Sequence, residues 1–262
     1  MIKIGPAGLG GVKEASKNLE YYNKLGFTAC EIAFTYSVYM NNKQAEEIGK
    51  TAKKFNIDLS IHSPYYINLN SSEKEKIEAS KKRILDCCER AHYLGAKYVV
   101  FHSGFYGKLT KEETYNKIKE GIIDILAIIK KNNWNVFIAP EMMGKINVFG
   151  SFDEIFRLVE ETKCHFCIDF AHLRAYTNDK MKYNEMCEKI KKFGHIHSHF
   201  SGIEFGDKGE KNHMLTPEKE IEKLMEAIKK NNINDITIIN ESPDPVGDSV
   251  KTLKIIKEMK LI

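Results

Sequence analysis

A chain of 262 residues with 42% hydrophobic content has room for one large α/β barrel or two small domains. Its formal net charge of +4 excludes a strongly acidic or strongly basic protein, and permits a phosphate-bearing partner without requiring one. No apolar run reaches the roughly 18 residues of a membrane span, and MIKIGPAGLGG at the N-terminus lacks a signal peptide's apolar stretch. A cytoplasmic protein is expected, with its six cysteines reduced.

Short β-rich segments then alternate with longer helical ones. IKIGPAG (2–8) precedes a helical pattern from Val12 to Leu25, and TACEIAF (28–34) precedes Lys43 to Phe55. DLSIHSP (58–64) precedes a long helix from about Ser72 to Leu94, where Ile77, Ile84, Leu85, Cys88 and Ala91 form an apolar stripe at helical spacing. YVVFHSG (98–104) precedes Lys111 to Lys131, with Ile118, Ile122, Ile125 and Ile129 on one side. NVFIAPEMM (135–143) precedes Phe152 to Glu161, and HFCIDFAH (165–172) precedes Tyr183 to Phe193. HIHSHFS (195–201) precedes Pro217 to Lys230, and DITIINESP (235–243) precedes Ser249 to Met259. Gly26, Gly95 and Gly194 stand where helices should stop. Ser151 and Thr216 stand where N-caps should be, with Pro217 at a first helical position.

Eight strand–helix units in this length are the arithmetic of a (β/α)8 TIM barrel, expected as a single domain over 1–262. A doubly wound open sheet would usually show a glycine-rich phosphate loop after its first strand; GLGG at 8–11 matches that poorly and reads as a turn. The lone CxxC of Cys164 and Cys167 lies in a strand pattern, where positions three apart face opposite sides, and reads as packing, as do Cys87 and Cys88.

In such a barrel the chemistry sits at the C-terminal strand ends. Metal-capable residues collect there: His62, His102, Glu141, Asp169, His172, His197, His199, then Glu210 and His213 in the following loop, and Glu241. In HIHSHFSG, strand alternation sends His195, His197 and His199 to one face. His195 starts its strand and reads as structural, while His92 and His165 fall away from the rim. Any one histidine is more often a satisfied core or surface residue. Six beside four carboxylates, from the third through the eighth unit, point to several metal ions. Imidazole with carboxylate and no thiolate suits zinc, and also manganese or iron. So many ligands exceed one tetrahedral ion and suit two or three, an arrangement used on phosphate esters.

The segments IHSPYYINLNS (61–71), VVFHSG (99–104), APEMMG (139–144), CIDFAH (167–172), HSHFSGIEFGDKGEKNH (197–213) and INESP (239–243) make an ordered set. In that order the chain resembles the endonuclease IV family, abasic-site endonucleases built on a TIM barrel around three metal ions, and most of all its archaeal-type members. The resemblance implies His62, His102 and Glu141 as ligands of one ion. It implies Glu141, Asp169, His197 and Glu241 at a second, and His172, Glu210 and His213 at a third. It implies Zn2+, with Mn2+ or Fe2+ possible at some sites, and Glu141, Glu241 and Tyr65 as catalytic residues, Tyr65 lying near the DNA. It also implies a monomer acting on duplex DNA with abasic sites in base excision repair, away from membranes. Bacterial members carry asparagine in place of His199, which leaves His199 as a group behind the ligands or an alternative ligand. Glu210 and His213 are one residue further apart than the family's compact pair. Tyr36, Tyr39 and Met40 either wedge into a base stack or pack over the rim. Lys145, Lys208 and Lys211 lie on the face that would meet phosphates. Two other readings stand beside this one: a metal-dependent sugar isomerase or epimerase on the same barrel, and a non-catalytic nucleic-acid-binding relative.

Overall fold

Eight parallel strands close into a barrel in the computed structural model, which describes residues 1–261. Ile262, the last residue of the expected 1–262 domain, lies outside the described residues. In chain order the elements are β1 (Ile2–Pro6), α1 (Val12–Leu25), β2 (Ala29–Ala33), α2 (Asn42–Lys54), β3 (Asp58–His62), α3 (Lys74–Leu94), β4 (Tyr98–Phe101) and α4 (Lys111–Lys131). They continue with β5 (Phe137–Pro140), α5 (Phe152–Thr162), β6 (Cys167–Asp169), α6 (Phe170–Tyr176), α7 (Tyr183–Ile190) and β7 (Ile196–Phe200). A hairpin of β8 (Gly202–Gly206) and β9 (Gly209–Met214) precedes α8 (Glu218–Lys230), β10 (Ile236–Asn240) and α9 (Pro245–Glu258).

The barrel wall runs β2-β3-β4-β5 on one half and β6-β7-β10-β1 on the other. Parallel bridges Ala7–Glu31 and Glu141–Cys167 stitch the halves together. Ile, Val and Phe fill the wall because both faces are covered, one by helices and one by the barrel interior. Along α4, Ile118, Ile122, Ile125 and Ile129 are all buried, and each contributes about 2 kcal/mol of transfer free energy. Asn41, Thr110 and Ser151 close capping boxes at the starts of α2, α4 and α5. Gly26 and Gly95 end α1 and α3 in the left-handed region, at φ 86° and 70°.

The fold departs from the expected elements in five places, one of them the start of α9 at Pro245, a turn before the expected Ser249. HFCIDFAH is strand only over Cys167–Asp169, because Asp169 caps a short helix, α6, through its Oδ1 and the His172 N–H at 2.8 Å. The stretch between β7 and α8 is a β-hairpin rather than a loop. Helix α7 stops at Ile190, short of Gly194. Pro217 is the N-cap of α8, while Thr216 is buried with its N–H on Asp248. Among the described residues, no helix is long and apolar enough to cross a membrane.

Candidate metal centre

The side chains able to ligate a metal sit at or just past the C-terminal ends of β3, β4, β5, β6, β7 and β10, with two more carried back over the barrel mouth by the hairpin. Three groups of donor atoms result, each with its members within 4.8 Å of one another: His62–His102–Glu141, Glu141–Asp169–His199–Glu241, and His172–Glu210–His213.

Glu141 links the first two groups. Its Oε2 stands 3.2 Å from His62 Nε2 and 3.1 Å from His102 Nε2. Its Oε1 stands 3.1 Å from His172 Nδ1 and 3.4 Å from His199 Nδ1. Burial would raise this carboxyl, but His199, His102 and His172 hold it well below the usual carboxylate range. Asp169 goes the other way: burial, helped by the neighbouring Glu141 charge against the pull of His172, raises it. Glu241 lies 3.3 Å from His199 Nδ1 and is lowered, because the His199 charge outweighs its burial.

Backbone carbonyls orient two of the imidazoles. His62 Nδ1 lies 2.8 Å from the Ser63 carbonyl and His172 Nδ1 lies 3.1 Å from that of Met142. A proton on each Nδ1 leaves Nε2 with its lone pair toward the cluster. His213 Nδ1 lies 2.8 Å from Ser201 Oγ, and its Nε2 faces His172 Nε2 at 3.3 Å.

The long Glu210–His213 spacing has a local cause. Residues three apart on a regular strand face opposite sides. In the hairpin, Glu204 pairs with Asn212 and Phe205 with Glu210, so the register shifts and Lys211 is an extra residue. That bulge restores one face to both ligands. The Glu210 N–H donates to the Gly144 carbonyl at 2.9 Å, docking the hairpin on the loop after β5. A Cβ on Gly144 would lie 2.8 Å from Glu210 Cβ and 3.0 Å from His172 Cδ2.

Of the expected ligands, His62, His102, Glu141, Asp169, His172, Glu210, His213 and Glu241 come together at this face. His197 does not join them; of the two residues expected as alternatives on β7, His199 does. His199, level with Asp169 in the strand register, takes the place beside Glu141, Asp169 and Glu241. His197 lies one inward-facing layer deeper, level with Cys167. There its Nε2 meets Glu31 Oε2 at 3.0 Å and its ring stacks on Tyr98 at 5.0 Å. The reading of Cys167 as plain packing is also incomplete, since its Sγ lies within 4.8 Å of ring nitrogens of His197 in this layer and of His199 in the layer above. His92, His165 and His195 open onto a separate cavity of about 880 Å3 at the other end of the barrel.

Sequence reasoning overlooked Glu31. It is a fully buried carboxylate in the apolar segment TACEIAF, and that contrast was the available signal.

The donor set fits metal ions. Glu141 Oε1, Asp169 Oδ2 and His199 Nδ1 are buried with no hydrogen-bond partner, and such groups need a partner to offset desolvation. A cavity of about 310 Å3 opens over the centre, lined in part by His62, Tyr65, His102, Lys145, Glu210 and Glu241. Tyr36, Tyr65, Tyr66 and Phe105 are exposed large side chains, whereas Met40 is buried and packs in the hydrophobic core.

The description of the xylose isomerase-like TIM barrel family matches residues 19–259. An uncharacterized protein of Methanocaldococcus jannaschii is 35% identical over 274 residues, covering 99% of this chain and 98% of that protein. An apurinic-apyrimidinic endonuclease of Caenorhabditis elegans is 31% identical over 60% of this chain and 41% of its own length. The chain thus spans about half or less of the named endonuclease relatives it matches. Endonuclease IV from Thermus thermophilus superposes with a TM-score of 0.72 at 19% identity, covering 99% of this chain and 100% of that one. A D-tagatose 3-epimerase-like protein superposes with a TM-score of 0.71 at 20% identity, covering 99% and 97%. At these identities the two structures speak for the fold alone.

Proposed function

The chain belongs to the xylose isomerase-like TIM barrel family, and from that premise we propose that it is a metal-dependent abasic-site endonuclease of base excision repair. The reading rests on one observation above others. Nine donor residues, five of them histidines, form three adjoining groups, two of which share Glu141. That is more imidazole than a one- or two-ion sugar site needs.

His62, His102 and Glu141 would hold one Zn2+; Glu141, Asp169, His199 and Glu241 a second; His172, Glu210 and His213 a third, with Mn2+ or Fe2+ as alternatives at some of them. When bound, the ions supply an activated water and neutralise charge on the phosphoryl group. The reaction joins the water oxygen to phosphorus and breaks the P–O3′ bond on the 5′ side of the lesion. It leaves a 3′-hydroxyl and a 5′-deoxyribose phosphate.

The protein's own groups do the rest. Glu241, at the end of β10 and held ionised, accepts the water proton. Tyr65, more than half exposed beside His62 and His102, supports the extruded abasic sugar. Lys145 at the cavity edge meets a backbone phosphate. Tyr36, Tyr66 and Phe105 offer flat faces for the bases flanking the gap. One copy of the chain suffices for all of these roles.

The test is a nicking assay with zinc-loaded protein on a duplex carrying one abasic analogue, beside an undamaged duplex. Cleavage confined to the lesion and ending in a 3′-hydroxyl supports the proposal. An intact duplex with a full complement of zinc sinks it. A second reading is a sugar isomerase or epimerase, since one barrel fold can carry either activity. Turnover of a ketose under the same conditions would establish it instead.

A further inference from the structure

Beneath the metal centre lies a buried polar layer to which the proposed cleavage assigns no role. Glu31 on β2 is 0% exposed. Its only ion-pair partners among the described residues are two histidines on β7. β2 and β7 are not neighbours in the wall, since β1 and β10 separate them, so the side chains meet across the barrel interior. Glu31 Oε2 accepts from Ser60 Oγ at 2.7 Å and stands 3.0 Å from His197 Nε2. Its Oε1 stands 2.9 Å from His199 Nε2, off the line of a full hydrogen bond. The opposite nitrogen of that ring, Nδ1, faces Glu241 at 3.3 Å and Glu141 at 3.4 Å.

A carboxylate without lysine or arginine beside it is costly inside a barrel, and removing it would leave two buried imidazoles without an acceptor. Hydrophobic packing would fill this space at lower cost. What the carboxylate adds is direction. An imidazole with one nitrogen on a carboxylate carries its proton there, and its other nitrogen keeps the lone pair that a metal ion needs.

We propose that Glu31 is a positioning residue for the metal centre: its carboxylate holds the proton of His199 on Nε2 and so aims Nδ1 at the group formed with Glu141, Asp169 and Glu241. His197 and Ser60 fix the carboxylate in turn, His197 with its ring seated on Tyr98. This assigns the first histidine of HSHF, His197, to the support of the carboxylate rather than to an ion. The inference rests on the second metal group of the proposed function, and it contains no DNA.

Two measurements test it on the zinc-loaded protein. The first is a long-range proton–nitrogen NMR correlation of the histidine rings in the unaltered chain. His199 is expected as the Nε2–H form with Nδ1 on the metal; the reverse form overturns the proposal and needs no variant to be seen. The second is zinc retention against a competing chelator. Glu31→Ala is expected to weaken the zinc held by the second group by about tenfold to a hundredfold. Glu31→Gln, which keeps an acceptor oxygen, is expected to recover most of that loss, whereas Glu31→Met, which keeps the volume without the acceptor, is not; full recovery in Glu31→Met would show a merely space-filling role and overturn the proposal. Unchanged zinc affinity in folded Glu31→Ala overturns the proposal. So does an extra zinc equivalent lost on Cys167→Ser, which would make this layer an ion site of its own. Failure to nick abasic DNA leaves all of these readouts intact and counts only against the proposed reaction.

Discussion

Glu141→Gln is the sharpest perturbation of the centre, because one side chain serves two donor groups. Its Oε2 faces His62 and His102, and its Oε1 faces His199. Glutamine keeps the size but replaces one oxygen with an amide NH2, which donates protons and does not ligate. At most one of the two groups can keep its share of residue 141. If the first group loses it, His62 and His102 remain alone. If the second loses it, Asp169, His199 and Glu241 remain without their link to the first. Zinc content is therefore expected to fall by one equivalent or more, and the single-turnover nicking rate to drop about a thousandfold. That corresponds to about 4 kcal/mol in the barrier, the size of a lost charge-stabilising contact in an enclosed site. Zinc is read by elemental analysis after gel filtration, nicking on the abasic duplex, and folding by circular dichroism. A folded Glu141→Gln protein with all its zinc and a rate within tenfold of the parent would refute the shared-ligand reasoning.

Other consequences follow from the same geometry. Tyr65→Ala is expected to raise the KM for abasic duplex about tenfold, as loss of one stacking contact would, with zinc content unchanged; lost zinc would show that Tyr65 supports the metal instead. Burial lowers the His62 and His172 imidazoles, but Glu141 and Asp169 outweigh it and raise them to about 9 and about 10. In metal-free protein that stabilisation is complete below the ordinary histidine range and lost as pH rises through these values. Chelator-stripped protein should therefore melt at falling temperature between pH 7 and pH 10, and a flat or rising Tm would contradict it. Gly144→Ala puts a Cβ 2.8 Å from Glu210 Cβ. It should loosen zinc at the His172–Glu210–His213 group while sparing the other two, which site-resolved chelator competition would reveal.

Much of the fold is written in local signals. The isoleucine stripe and the Thr110 capping box define α4 to the residue, and Ser151 marks the start of α5. The hairpin was harder to see. Its turn, Asp207-Lys208, lacks the Asn-Gly or Asp-Gly chemistry of a strong hairpin signal. Its bulge at Lys211 breaks the alternation by which a strand is recognised. Helix α6 was hidden because Asp169 does two jobs, presenting one oxygen to the His172 N–H as a cap and the other to the metal group. A ligand at a strand end also reads as strand, so the helix it starts goes uncounted.

The assignment within HIHSHF shows a different kind of limit. Alternation correctly puts His197 and His199 on one face, the barrel interior, but alternation carries no depth. Depth comes from the pairing of β7 with its neighbours. His199 lies level with Asp169 on β6 and Ile239 on β10, two residues before Glu241, whereas His197 lies level with Cys167 and Thr237. Two residues along a strand are about 7 Å, enough to separate a metal ligand from the layer beneath it. A signal for depth did exist in another strand. Glu31 is a carboxylate set among Ala, Cys, Ile and Phe, and a charge there needs buried partners of its own. The surplus histidine is that partner, so the two oddities of the sequence, a glutamate in an apolar strand and one imidazole too many, account for each other.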